Sequence, residues 1–279
     1  MRKTITGLVM LALLLGIIAL TSISQYVFDA LILLFMIISS YEMFTVFTKK
    51  GYRPKIFTLV VTILAIYPML YFYGSQGYLI VCGLSFLFAF GDYIFTKGMS
   101  LNDFLITVLI IVYPILLLAT GVYLNLTYGM MPILIALAAA MGSDTFAFYF
   151  GVLLKGPKIF PHISPKKTYS GCIFGLVGGA AGALTVYAIF ELAGFPAYIN
   201  YQFANLSNPI LIVSIIGVLI AIVSEIGDLG ASKIKRALDI KDFSHIFRSH
   251  GGVMDRLDSI LFAMTLMVAI MSFLPQVVA

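Results

Sequence analysis

Tryptophan is missing from these 279 residues, cysteine occurs only twice, and only 10% of positions carry charge. A soluble domain carries roughly 25% charged residues. A chain this poor in charge would leave apolar surface in water, so its place is a bilayer. Consistent with that, 61% of residues are hydrophobic and mean hydropathy is +1.07. Cys82 and Cys172 lie in separate apolar runs, which excludes a disulfide framework or a spaced zinc set and leaves both as packing residues. No GxxxxGK[ST] stretch occurs, which excludes a P-loop nucleotide site. No low-complexity tract, detached polar domain or internal repeat stands out, and the last absence counts against inverted-repeat transporters.

What the chain does have is long apolar runs. Nine are near the roughly 20 residues a bilayer crossing requires, at 5–22, 27–48, 56–73, 78–95, 103–125, 130–154, 169–194, 209–231 and 257–275. The first imitates a signal peptide, but its run exceeds the roughly 7–15 residues of a secretory core and ends without a small-x-small site, so it reads as a retained helix. With the N-terminus cytoplasmic, the inner segments are 1–4, 49–55, 96–102, 155–168 and 232–256. All 17 lysines and arginines fall in them. Positive charge marks the cytoplasmic side, so the expected fold is an all-α polytopic membrane protein of nine transmembrane helices. Residues 1–128 form its N-terminal helices, for anchoring, packing and lipid access. Residues 129–279 form the C-terminal catalytic region, with cytoplasmic loops 155–168 and 232–256.

Carboxylates in hydrocarbon are costly, so each calls for a reason. Asp29, Asp103 and Glu191 sit near expected helix ends, where water or headgroups solvate them. Glu42 and Asp92 lie within about two turns of the inner face; a basic residue across a helix interface is the partner open to either, and a structural and a functional role stand equally for both. Asp144 is about ten residues from the inner end of its span, on the order of 15 Å deep, behind Gly142 and three alanines; it is a site candidate. Gly175, Gly179 and Ala183 recur every four residues, a spacing that lets helices approach closely in lipid. Ser224, Asp228 and Ser232 share one helix face. Glu225 and Asp228 repel at three residues' separation unless a cation intervenes, and a metal ion is the simplest one.

Ten charged residues crowd between Ser232 and Ser259. Lys235, Arg236, Lys241, Arg248 and Arg256 suit phosphates. Asp239, Asp242, Asp255 and Asp258 suit a divalent metal, which bridges carboxylates to substrate phosphates when it is magnesium. His250-Gly251-Gly252 offers backbone that an anion can approach, whereas His245 reads as a solvated loop histidine. Lys166 and Lys167, between Ser164 and Thr168, add a second basic cluster that also fits the general positive-inside bias. Mixed acids, bases and glycines at the inner surface point to phosphoryl or nucleotidyl transfer between a cytosolic nucleotide and a membrane lipid.

The run S-x-x-K-R-x4-K-D-x-S followed by H-G-G-x-x-D-R-x-D, from Ser232 to Asp258, resembles the phosphatidate cytidylyltransferase family. "SDTFAFYFG", "SPKKTYSG" and "SEIGDLGASKIKR" resemble its upstream segments, so the resemblance covers roughly 140–260. The chain departs from the usual pattern at Arg248-Ser249, where the family has Pro-Gly, and at Tyr169-Ser170, where it tends to have Trp and an acid. The resemblance implies cytidylyl transfer from CTP to phosphatidate, giving CDP-diacylglycerol and pyrophosphate, with Mg²⁺ and room for a second cation. It implies catalytic roles for Asp228, Asp255, Lys235, Arg236, Lys241, Asp242, His250 and Arg256. It implies binding roles for Lys166, Lys167, Ser232, Gly251 and Gly252, the two glycines offering backbone N–H groups to a phosphate. Metal ligation falls to Asp228 and Asp255, with Asp144 and Asp258 close by. The expected setting is a bacterial cytoplasmic membrane with the site facing the cytoplasm, the bilayer as partner, no nucleic acid, and a homodimer that small-residue faces permit. Two alternatives stand beside it: CTP-dependent activation of another membrane lipid phosphate, and a secondary transporter for an anionic substrate.

Overall fold

The computed structural model describes residues 24, 26–192, 201–246 and 251–274, apart from the side chains of Pro165 and Lys166. The expected span 5–22 lies outside them. Seven helices among the described residues are long and apolar enough to cross a membrane: α1 (Tyr26–Lys49), α2 (Ile56–Phe95), α3 (Leu101–Tyr128), α4 (Met130–Leu154), α5 (Tyr169–Leu192), α6 (Pro209–Ala237) and α7 (Met254–Phe273). In hydrocarbon every backbone polar group must be satisfied internally, which is why apolar runs of this length become helices.

α2 merges two expected spans. As one straight rod its 40 residues would be about 60 Å long, twice the hydrocarbon thickness. It is not straight. Gly74 takes φ 53° and ψ −131°, a conformation open to glycine because it has no Cβ. The Thr62 hydroxyl then meets Ser85 Oγ at 2.9 Å, Thr58 bonds to the Asp92 carboxylate, and Gly77 lies against the Met69 backbone. Residues 58 and 92 of one rod would be about 50 Å apart. α2 is therefore a helical hairpin whose arms coincide with 56–73 and 78–95. Gly129 (φ 77°) breaks the chain between α3 and α4, and α6 runs to Ala237, six residues past its expected end.

The seven helices fit the all-α expectation, and one short element stands beside them. Within the loop 155–168, β1 (Lys158–Phe160) and β2 (Ser164–Thr168) pair antiparallel. β2 leads straight into α5, where the Thr168 hydroxyl accepts the Gly171 N–H at 3.1 Å and caps the helix. The acids near helix ends also differ from expectation. Asp29 is buried and accepts from Asn125 Nδ2 at 2.8 Å and from the Tyr67 hydroxyl at 3.3 Å, joining α1, α3 and α2. Asp103 is buried too, in a capping box with Ser100, and accepts the Arg53 N–H at 2.6 Å. Glu191 accepts the N–H groups of Phe203 and Ala204. Asp92 takes a hydroxyl rather than a basic partner. Donors within the fold, rather than water, offset the desolvation of these groups.

The C-terminal helices pack through small residues. A Cβ on Gly178 would strike the Gly142 carbonyl and Phe146, and one on Gly182 the Ala138 backbone, so this face of α5 lies directly on α4. Gly175 also faces α4, at Ser143 and Ala147, whereas Gly179 faces Gly217 and Ala221 of α6. The four-residue series thus splits between two neighbours, because α5 is wedged between them. Gly227 of α6 sits against the Asp258 carbonyl and Phe262 of α7. α3 is the most enclosed of the seven helices. Overpacking of such contacts costs about 1–3 kcal/mol or more, so Gly182→Val should lower the melting temperature in detergent, whereas Gly83→Ala, where an added methyl meets nothing within 4 Å, should leave it unchanged. Equal melting of both variants would show that the α4–α5 contact is not tight.

Candidate active site

The C-terminal ends of α4 and α6, the N-terminal end of α7 and the strand β2 converge on a cluster of alternating charge. Lys167, at the end of β2, places its ammonium 2.7 Å from Asp228 and 3.1 Å from Glu225 of α6. Lys235, two turns further along α6, places its ammonium 2.7 Å from Asp255 and 3.9 Å from Asp258 of α7, with the Phe243 ring beneath it at 5.5 Å. Each lysine thus lies between two carboxylates three residues apart on a helix. The repulsion between Glu225 and Asp228, for which a metal ion was the expected remedy, is relieved here by Lys167.

Burial works to lower the Lys167 pKa, but Asp228 and Glu225 outweigh it and hold the ammonium above its ordinary value of 10.5. A group raised in this way contributes stability that is complete below 10.5 and lost only as pH rises through the raised value. Asp144 stands open on α4, within electrostatic reach of Asp228, Lys167, Glu225 and Arg256. Asp258 is within reach of Asp228, Lys235 and Asp144. Of the expected site residues, the structure thus brings together Asp144, Lys167, Asp228, Lys235, Asp255, Arg256 and Asp258.

Other expected members are placed differently. Arg236 is exposed, and its guanidinium donates to the Ile240 carbonyl at 3.5 Å. Ser232 is half-buried on α6. Lys241 is exposed and Asp242 half-buried, and among the described residues neither has a hydrogen bond or ion pair to the acids. His250, with Arg248 and Ser249, lies outside the described residues, as does the Lys166 side chain. Gly251 and Gly252 are both buried. The Gly252 N–H donates to Asp255 Oδ2 at 2.9 Å, so it is not free for a phosphate. Gly251 (φ 80°) abuts the Asp255 carboxylate, and a Cβ on Gly252 would collide with Glu42 and Ser244. The glycines serve close packing around two carboxylates.

One of those carboxylates was not among the expected site residues. Glu42, buried on α1, accepts the Val253 N–H at 2.9 Å and the Met254 N–H at 2.7 Å, and holds the Ser244 hydroxyl. It caps α7 from another helix and anchors the loop that carries Phe243 and Gly252. The expected basic partner is replaced by the orphan N–H groups of a helix start, which attract a carboxylate. The signal was present as an acid two turns inside an apolar run, but no local spacing links residues 42 and 253.

The cluster's donors fit magnesium chemically. All are carboxylate oxygens, and magnesium takes one or two carboxylates and completes its shell with water and substrate phosphates. Asp144, Glu225, Asp228, Asp255 and Asp258 stand against Lys167, Lys235 and Arg256, which leaves an excess of negative charge. No ready-made group of three or more ligands exists among the described residues. The carboxylates differ in availability: the Asp228 side chain is 32% exposed and that of Asp255 3%. Asp255 Oδ2 already accepts the Phe243 and Gly252 N–H groups and Oδ1 takes Lys235.

A profile of the Cytidylyltransferase family matches residues 1–274. The phosphatidate cytidylyltransferase of Rickettsia conorii is similar, with 37% identity over 163 residues, covering 58% of this chain and 66% of that protein. The Rickettsia typhi protein of the same name is 41% identical over 118 residues, 42% of this chain and 48% of its own. That of Bacillus subtilis is 34% identical over 137 residues, 49% of this chain and 46% of its own. The chain thus spans between about half and two-thirds of the length of these relatives.

Unpaired buried N–H groups cost about 1–3 kcal/mol each. Glu42→Ala leaves two at the start of α7, so amide exchange of the peptide containing Val253 and Met254 should accelerate by roughly thirtyfold or more. Unchanged exchange there would show that Glu42 is not the cap.

Proposed function

The chain belongs to the cytidylyltransferase family, and from that premise we propose that it transfers a cytidylyl group from CTP to phosphatidate, releasing CDP-diacylglycerol and pyrophosphate at the cytoplasmic face of a bacterial membrane. The observation that carries this reading is the pair of lysines, Lys167 and Lys235, each held between two acids at the inner ends of membrane helices. Such a site offers cations for phosphates and oxygen ligands for a metal in one place, where a water-soluble nucleotide and a lipid would meet. The positive-inside distribution supports the cytoplasmic orientation. The hairpin form of α2 supports nine crossings, with 5–22 as the first.

In the proposed reaction a phosphatidate oxygen attacks the α-phosphorus of CTP, a P–O bond forms there, and the bond to the β-phosphate oxygen breaks as pyrophosphate leaves. The attacking phosphate is already ionised near neutral pH, so no dedicated base is assigned. The chain's contribution is positioning and charge neutralisation. Lys167 and Lys235 exchange a carboxylate partner for a phosphate oxygen when substrates enter, and Arg256, exposed at the rim, meets the triphosphate. Asp228 and Asp258 would hold Mg²⁺ with Asp144 beside them, Asp255 acting chiefly to fix Lys235 and the loop. Bound there, Mg²⁺ would supply positive charge against the negative charge developing on the phosphates.

Purified protein with labelled CTP, phosphatidate and Mg²⁺ should yield lipid-soluble label and free pyrophosphate. Asp228→Asn and Asp255→Asn should each lower kcat/KM on the order of a hundredfold or more while the protein still inserts and purifies. Near-normal turnover in both variants would refute the site. Product formed only with a different lipid phosphate would instead identify that lipid as the substrate.

A further inference from the structure

Within α3, residues Ile111–Leu116 form a π-helical turn around Pro114. Turns of this kind are frequent at functional sites. Tyr113 lies in this turn, on the most enclosed helix of the bundle. Its residue is 6% exposed, and its hydroxyl has no hydrogen-bond partner among the described residues. Its ring packs edge-on against Phe262, 6.1 Å away and one helical turn past Asp258 on α7. The hydroxyl is within electrostatic reach of Asp258, Asp228 and Asp255.

A buried tyrosine hydroxyl normally finds a partner, and leaving it unpaired costs about 1–3 kcal/mol. Phenylalanine would fill the same space without that cost, so the oxygen calls for a partner beyond the described residues. Position narrows the choice. Tyr113 is twelve residues into α3 and Asp228 nine residues from the end of α6, depths of about 18 Å and about 14 Å. Counted from the helix ends, the phenol thus lies deeper than Asp228 and Asp258, which it reaches.

We propose that Tyr113 is a substrate-binding residue whose hydroxyl donates a hydrogen bond to a phosphoryl oxygen of the lipid substrate. The assignment rests on the cytidylyltransferase reading for the identity of that lipid, with CTP as the competing source of a phosphoryl oxygen. Hydrogen bonds to charged groups are worth about 1.5–3 kcal/mol, so removal of this one should cost roughly tenfold or more in lipid affinity.

The test compares wild type with Tyr113→Phe in two measurements. In mixed micelles, KM for phosphatidate should rise about tenfold while KM for CTP is unchanged. In melting experiments without CTP or Mg²⁺, phosphatidate should stabilise the wild type, and the variant should lose most of that shift. Without lipid, the variant should melt at or above the wild-type temperature, because an unpaired hydroxyl has been removed. A lower lipid-free melting temperature would mean the hydroxyl has a structural partner, and would overturn the proposal. So would an unchanged lipid shift, or a rise in KM for CTP alone. If the wild type forms no product at all, the cytidylyltransferase reading fails, while the melting experiments still decide whether Tyr113 binds a lipid phosphate.

Discussion

Everything at the inner end of this protein depends on how charge is held where water is scarce. A lone ammonium or carboxylate at such a depth is expensive, and the fold answers by placing each of two lysines between two acids. Lys167 ties the β-hairpin to α6, and Lys235 ties α6 to α7. These contacts join segments far apart in sequence, so they hold the helix ends together as well as neutralising them. They also leave carboxylate in excess. A cluster of that kind is complete as a structure and unfinished as a binding site, since added cations and phosphates have partners waiting.

Close approach of the helices is the condition for this arrangement. Glycine faces on α5 let α4 and α6 come within backbone contact, and that closeness brings Asp144 of α4 within reach of Asp228 on α6. In lipid there is no hydrophobic drive to hold helices together, so tight packing of small residues takes its place. Glu42 supplies the remaining constraint. By capping α7 from α1 it fixes the loop that turns Asp255 toward Lys235. The N-terminal helices therefore do more than anchor the chain, a point that Tyr113, on α3 and within electrostatic reach of the acids, extends.

Most of the helices were legible because the rule that creates them is simple. A run of about twenty apolar residues has one way to satisfy its backbone in a bilayer, and the cations order the runs by side. The two arms of α2 were legible for the same reason, although only Gly74 shows how they join. The β-hairpin at 158–168 escaped notice because strands this short carry too little periodicity. The charged members of the site were legible from charge type and spacing along one helix: Asp228 with Glu225, and Asp255 with Asp258. Their partners were not, because Lys167 and Lys235 choose acids by proximity in space.

Read alone, the sequence already showed that this chain belongs in a membrane, where its long apolar runs lie, which end of each bears the positive charge, and which acids gather near those cations. Composition and local spacing suffice for these, since each follows from the cost of placing a residue type in hydrocarbon or water. Only the tertiary structure decided the rest. It set lysines between the acid pairs, used Gly252 for close packing, sent Glu42 to cap a helix more than two hundred residues away, and put a phenol within electrostatic reach of the carboxylates. Each of these is a choice among partners that meet only when helices pack, and no local pattern along the chain records which groups will meet.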